Sequence, residues 1–118
     1  APCSGTGVIR KHPDIRWNRQ PEDFAAYQEK QLGLLRTAAG LLRPDGVLVY
    51  VTCSLEPEEN QEVVEQFLRS ADAFELTDCR DFLPESASSL VDANGFFAPL
   101  PTEEIEGFFA ARLVRMSA

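Results

Sequence analysis

Two of the three cysteines in this sequence stand in surroundings suited to chemistry. Cys3 lies in Ala1-Pro2-Cys3-Ser4-Gly5-Thr6-Gly7, where Pro2 fixes the backbone and Gly5 and Gly7 permit close approach or a positive φ. Cys53 lies in Thr52-Cys53-Ser54, directly after the apolar run Val47 to Val51. In open α/β sheets ligands bind beyond the carboxyl ends of the strands, so Cys53 is placed where reacting groups are found. A thiolate is the reactive form, and an ordinary thiol titrates near about pH 8.5. A reacting cysteine therefore needs help. The dipole of a helix following Cys53 would lower its pKa, whereas Glu56, Glu58 and Glu59 would oppose this. Cys79, in Thr77-Asp78-Cys79-Arg80, has no such context and reads as a structural thiol.

Several other chemistries fit poorly. A phosphatase loop sets its arginine one residue closer to the cysteine than Arg10 stands to Cys3. The opening has neither the glycines of a dinucleotide loop nor a Gly-Lys-Ser/Thr ending. Three cysteines without a Cys-x-x-Cys pair suit neither a disulfide framework nor a zinc site, and His12 is the only histidine. Two readings of the first loop remain open: a turn with an incidental cysteine, or a loop that brings a thiol and backbone amides against a flat ring.

The elements that must position these residues follow a helix–strand alternation. Pro21 opens a helix, with Glu22 and Asp23 at its positive end. Phe24, Tyr27, Leu32, Leu35, Ala38, Ala39 and Leu42 form its apolar stripe, and Arg43-Pro44-Asp45-Gly46 stops it. The unalternating run Val47 to Thr52 predicts a parallel strand covered on both faces. Glu56-Pro57-Glu58-Glu59 opens a second helix reaching about Ser70, with Val63, Val64, Phe67 and Leu68 inward. Short strands are expected around Phe74 to Thr77, Gly95 to Ala98 and Gly107 to Val114, the last two as an antiparallel hairpin-like addition. The fold class is α/β: the second half of a doubly wound sheet, with right-handed crossovers.

Composition is that of one compact domain: 118 residues, 44% apolar and 25% charged. The net charge of −8 argues against strong nucleic-acid binding by this chain alone. Its distribution is uneven, +3 over residues 1–43 and −11 over residues 44–118. The cationic cluster Arg10, Lys11, Arg16 and Arg19, around His12, is either a solvated loop or a basic face beside Cys3. The apolar stretch Gly46 to Val51 is too short to cross a bilayer, and no secretory signal opens the chain. A soluble, cytoplasmic protein with reduced thiols is expected.

The ordered blocks Ala1-Pro2-Cys3-Ser4-Gly5-Thr6-Gly7-Val8-Ile9-Arg10-Lys11-His12-Pro13-Asp14, Thr52-Cys53-Ser54-Leu55 and Glu59-Asn60 resemble the Sun/Fmu family of bacterial ribosomal-RNA cytosine-5 methyltransferases. Gly107 to Leu113 looks like that family's closing strand. The resemblance implies a Rossmann-like S-adenosylmethionine-dependent fold, of which residues 1–118 form the C-terminal part of the catalytic domain without the cofactor-binding half. It implies a covalent mechanism in which Cys53 is the nucleophile and Cys3 assists release of the methylated RNA. DNA cytosine methyltransferases use the Pro-Cys cysteine as nucleophile instead, but they lack the Thr-Cys partner present here. Pro2, Ser4, Gly5, Thr6, Gly7 and Thr52 are expected to shape the substrate site, and Arg10, Arg16 and Arg19 to touch RNA phosphates.

The family's acidic residue ahead of Ala-Pro-Cys, its glycine-rich cofactor loop, its ribose-gripping acid and a lysine near the target base have no counterpart here. Pro99-Leu100-Pro101 departs from the Pro-His common in the family, so no site is assigned there. This chain alone is thus expected to be inactive and not to bind S-adenosylmethionine, and to self-associate through the edge of the Val47–Val51 strand. The alternatives are a small α/β interaction domain with structural cysteines, or a transferase of the same fold acting on DNA or protein.

Overall fold

The computed structural model describes residues 1–9, 20–102 and 105–116. Arg10, Lys11, His12, Arg16 and Arg19, expected to form a basic face, lie outside the described residues. Helix α1 spans Pro21–Gly40 and α2 spans Gln61–Ser70; strands β1, β2 and β3 span Val47–Thr52, Phe74–Thr77 and Phe109–Arg115. Short 3₁₀ turns at Thr6–Val8, Pro57–Glu59, Cys79–Phe82 and Glu85–Leu90 join them.

Pro21 sits in the first turn of α1, where its missing N–H costs nothing. The amide of Gln20 donates to Asp23 Oδ2 at 2.8 Å, closing the helix start. The stop also follows the sequence. Asp45 takes a positive φ of 66° and the amide of Gly46 donates to the Arg43 carbonyl at 2.9 Å, turning the chain into β1.

The sheet order is β1-β3-β2, and both neighbouring pairs are antiparallel. Tyr50 faces Ala111 across the first pair, and Leu76 faces Leu113 across the second. Since β1 and β2 both run against β3, they run parallel to each other, linked through α2 with β3 inserted between them. The expectation of β1 as a doubly covered parallel strand is thus corrected. Its partner among the described residues is the antiparallel β3, and only one face is buried. Tyr50 and Thr52 point inward, while Val47, Val49 and Val51 stay 45%, 55% and 41% exposed. The reason is layering: the buried core Leu35, Ala39, Val63, Val64, Phe67, Phe109, Ala111 and Leu113 lies between the helices and one sheet face.

Two other elements differ from expectation. The strand around Gly95 to Ala98 shrinks to Phe97, which bridges both Val91 and Ala110. The helix foreseen from Glu56 is a 3₁₀ turn that breaks at Asn60, with φ −113° and ψ −101°, before α2 begins at Gln61. The Asn60 side chain is bound to the strand end, to Thr52 Oγ1 and the Ser54 carbonyl.

Candidate functional site: a thiol pair at the end of β1

The two cysteines singled out by sequence meet. Cys3 Sγ lies 3.1 Å from Cys53 Sγ, both half-buried and both free thiols. Fifty residues apart in the chain, they are joined by a lattice of bonds between the loop that starts at Pro2 and the end of β1. The amide of Gly7 donates to the Cys53 carbonyl at 2.7 Å, and the amide of Leu55 donates to Thr6 Oγ1 at 2.8 Å. Gly5 takes a positive φ of 76°, which swings the chain into the Thr6–Val8 turn. Gly7 leaves no room for a side chain: a Cβ there would lie 2.5 Å from the Cys53 carbonyl oxygen.

Beneath the sulfurs sits a fully buried carboxylate, Glu59. The Ser4 amide donates to its Oε1 at 2.7 Å and the Ser4 hydroxyl to its Oε2 at 2.6 Å. The Ser54 hydroxyl donates to the same Oε2. Gln31 Nε2, from the buried face of α1, reaches Glu59 Oε1 at 3.2 Å and the Pro2 carbonyl at 2.8 Å. The strand end is fixed from the other side. Thr52 Oγ1 donates to Asn60 Oδ1, and Asn60 Nδ2 donates to the Ser54 carbonyl at 2.8 Å. Tyr50 OH donates to the Glu59 carbonyl at 2.6 Å. Burial, then the nearby Glu59, push the Tyr50 phenol well above its ordinary value, so it stays a donor.

Of the opposing influences on Cys53 weighed from the sequence, those that raise its pKa prevail. Its thiol is pushed up to about 11, first by burial and next by the hydrogen bond with Cys3. No helix start offsets this, because α2 begins only at Gln61. Cys53 in this state is a protonated thiol at neutral pH.

Of the other residues assigned to the site by sequence, Ser4 and Thr52 are buried, with their hydroxyls engaged by Glu59 and Asn60. Thr6 and Gly7 brace the loop, and Pro2 is exposed with its carbonyl held by Gln31. Cys79 is buried elsewhere, its Sγ 3.7 Å from the Ala110 carbonyl in β3. Sequence reading missed Gln31 and Tyr50 as site builders; Ser54 and Glu59 stood in blocks that carry the family resemblance, but Glu59 was given no role beyond a charge opposing the thiolate. The available signal was a glutamine inside the apolar stripe of α1, set four residues before Leu35.

Among the described residues no group of three or more His, Cys, Asp or Glu side chains could hold a metal ion. The described polar groups nearest the thiols are engaged within the protein. Glu59 has both oxygens bonded within the protein, and the Ser4 and Gly7 amides are taken by Glu59 and the Cys53 carbonyl. No described helix is long and apolar enough to cross a membrane.

Known proteins resemble this chain along most of its length. The family 16S rRNA methyltransferase RsmB/F matches residues 1–114. Ribosomal RNA small subunit methyltransferase B of Pasteurella multocida is 43% identical over 114 residues, covering 96% of this chain and 24% of its own length. Ribosomal RNA small subunit methyltransferase F of Serratia proteamaculans is 42% identical over 115 residues, covering 96% of this chain and 24% of its own. The chain thus spans about a quarter of the length of these curated relatives. The crystal structure of PH0851 superposes with a TM-score of 0.84 at 32% identity, over 96% of this chain and 25% of that one. NSun6 from Pyrococcus horikoshii, solved with SFG, gives 0.77 at 27% identity, over 100% of this chain and 29% of its own. The α/β architecture is therefore part of a Rossmann-like methyltransferase fold, and the chain belongs to the 16S rRNA methyltransferase RsmB/F family.

Proposed function

We propose that residues 1–118 are the C-terminal part of the catalytic domain of an RNA cytosine-5 methyltransferase acting on small-subunit ribosomal RNA. The observation that carries the reading is the meeting of Cys3 and Cys53 at 3.1 Å in a chain of this family. S-adenosylmethionine supplies the methyl group in the whole protein, and no step below is routed through it.

Carbon-5 of cytosine is a weak nucleophile, and a thiolate corrects this by covalent catalysis. Cys53, once its proton is removed, adds its sulfur to carbon-6; the 5,6 double bond opens and its electron pair makes carbon-5 nucleophilic. After methylation, loss of the carbon-5 proton to a base restores the double bond and expels the Cys53 sulfur. Cys3 assists this release, and a thiol 3.1 Å from the departing sulfur is placed to hand it a hydrogen bond or a proton. The loop from Pro2 to Gly7 and the end of β1 frame the base. Arg10, Arg16 and Arg19 contact RNA phosphates in this reading.

The 118-residue chain alone is inactive and does not bind S-adenosylmethionine, and it self-associates through the free edge of β1. The test is transfer of a labelled methyl group from S-adenosylmethionine to ribosomal RNA by the whole protein. The account expects 5-methylcytidine as the labelled nucleoside, its loss in Cys53→Ala, and no calorimetric binding by the 118-residue chain. Another labelled nucleoside, or saturable micromolar binding by the chain alone, would count against it.

A further inference from the structure

We propose that Glu59 is a positioning residue for the thiol pair: its buried carboxylate ties the loop of Cys3 to the loop of Cys53 and thereby sets the distance between their sulfurs. Each cysteine is followed by a serine, and the two Cys-Ser dipeptides mirror each other. The sulfurs of Cys3 and Cys53 face one another at 3.1 Å, and the hydroxyls of Ser4 and Ser54 both donate to Glu59 Oε2. The Ser4 amide adds a third bond at Oε1, so the backbone directly after Cys3 is held as well. Gln31 extends the hold to the residue before Cys3, through the Pro2 carbonyl.

Burying a carboxylate is costly unless its hydrogen bonds are met, and a well-packed apolar side chain would often fill such a space at least as stably. What a carboxylate adds is direction. It accepts at two oxygens in fixed geometry, and here each oxygen reaches the Cys3 loop while Oε2 also reaches the Cys53 loop. Other ties join the loops as well: Ser54 Oγ lies 3.4 Å from both Ser4 Oγ and Thr6 Oγ1, the Gly7 amide donates to the Cys53 carbonyl, and the Leu55 amide donates to Thr6 Oγ1. Glu59 Oε2 is the acceptor on which both serine hydroxyls converge. Glu59 thus acts through Ser4 and Ser54. Its bearing on catalysis rests on the function proposed above, whereas the placement of the sulfurs is a property of this chain.

The experiment reads the sulfur separation directly, by closing the pair with oxidised glutathione in the whole protein carrying Cys79→Ala. One protein thiolate attacks the glutathione disulfide, giving a mixed disulfide and one glutathione. The second protein thiolate then attacks the protein-side sulfur, forming the Cys3–Cys53 bond and releasing the second glutathione. Peptide mapping by mass spectrometry follows both steps, and the rate of closure relative to the first step reports position rather than general loosening.

Glu59→Ala should lower that ratio by about tenfold or more, since misplacement on the order of 1 Å costs about a hundredfold in oriented reactions. Glu59→Gln, which keeps the shape and one acceptor oxygen, should restore much of it. Closure at the unsubstituted rate in a folded Glu59→Ala protein overturns the proposal. Should Glu59→Ala fail to fold by circular dichroism, Ser54→Ala removes the Glu59 bond to the Cys53 loop together with the contacts of Ser54 to Ser4, Thr6 and the Glu56 amide, and unslowed closure there overturns the proposal equally. Methyl transfer is measured in parallel. Slowed closure with no transfer even by the unsubstituted protein sinks the functional reading and leaves the clamp; normal transfer with unaltered closure in Glu59→Ala sinks the clamp alone.

Discussion

Gly7 and Cys53 are joined backbone to backbone, the amide of Gly7 donating to the carbonyl of Cys53 at 2.7 Å. On its other side the Gly7 carbonyl accepts from the amide of Gly107 at 2.9 Å. Three segments distant in sequence therefore cross at one point just beside the sulfurs.

That crossing makes Gly7→Ala informative. The added Cβ would lie 2.3 Å from the Gly107 carbonyl oxygen and 2.5 Å from that of Cys53, so backbone must move. Overpacking of this kind costs about 1–3 kcal/mol, and the melting temperature of the variant should fall by several degrees. The displaced loop should also separate the sulfurs and slow their closure to a disulfide. An unchanged melting temperature and closure rate would show that the crossing has slack.

The raised pKa of Cys53 predicts its reactivity. In protein free of RNA, alkylation of Cys53 by iodoacetamide should keep rising past pH 9 toward about 11 without levelling off. Cys3→Ala removes a hydrogen bond that favours the protonated thiol, so levelling should come at lower pH. The sign for stability follows. The folded state holds this proton more tightly than the unfolded chain, so the contribution is complete below about pH 9 and is lost as pH climbs through about 11. The denaturation midpoint should fall over that window, and less steeply in Cys53→Ala. Alkylation that levels off near pH 9 would contradict the environment described.

The edge of β1 predicts association. Val47, Val49 and Val51 are exposed on one face, and the Ala1 amine donates to the Val51 carbonyl at 3.0 Å. Leu34, half exposed on α1, borders the same edge with Ala1 and Leu48 around a cavity of about 150 Å³. Apolar free edges pair with one another unless charge or proline blunts them. Light scattering of the 118-residue chain should show mass rising with concentration, and Val49→Lys should reduce the rise. A constant monomer mass would refute this.

The sequence made some of this legible and hid the rest for physical reasons. Helix α1 was readable because Pro21, Asp23 and the Arg43 to Gly46 turn are local signals, and its stripe correctly contained Leu35 and Ala39. The two thiols were readable because each stands in a distinctive tripeptide. The coverage of β1 was misjudged: a run of apolar residues reports what a strand tolerates, while its partners and covering layers are set by segments far away, here Phe109 to Arg115. The role of Glu59 was hidden for a similar reason. Glu59-Asn60 stood out in the family resemblance, but nothing local says that this carboxylate turns inward, because Ser4, Gln31 and Ser54 converge on it only after folding. The helix that the pattern carried unbroken from Glu56 breaks at Asn60, whose side chain is bound to the strand end.

The central claim is that Cys53 bonds to the base and Cys3 frees it, and trapping tests it most directly. The whole protein carrying Cys3→Ala is incubated with ribosomal RNA and S-adenosylmethionine, then resolved under denaturing conditions. The account predicts an RNA–protein adduct that accumulates in Cys3→Ala, maps to Cys53, and vanishes in the Cys3→Ala, Cys53→Ala double variant. An adduct that forms in Cys53→Ala and maps to Cys3 would exchange the two roles, and no adduct with methyl transfer intact in both single variants would contradict the thiol mechanism altogether.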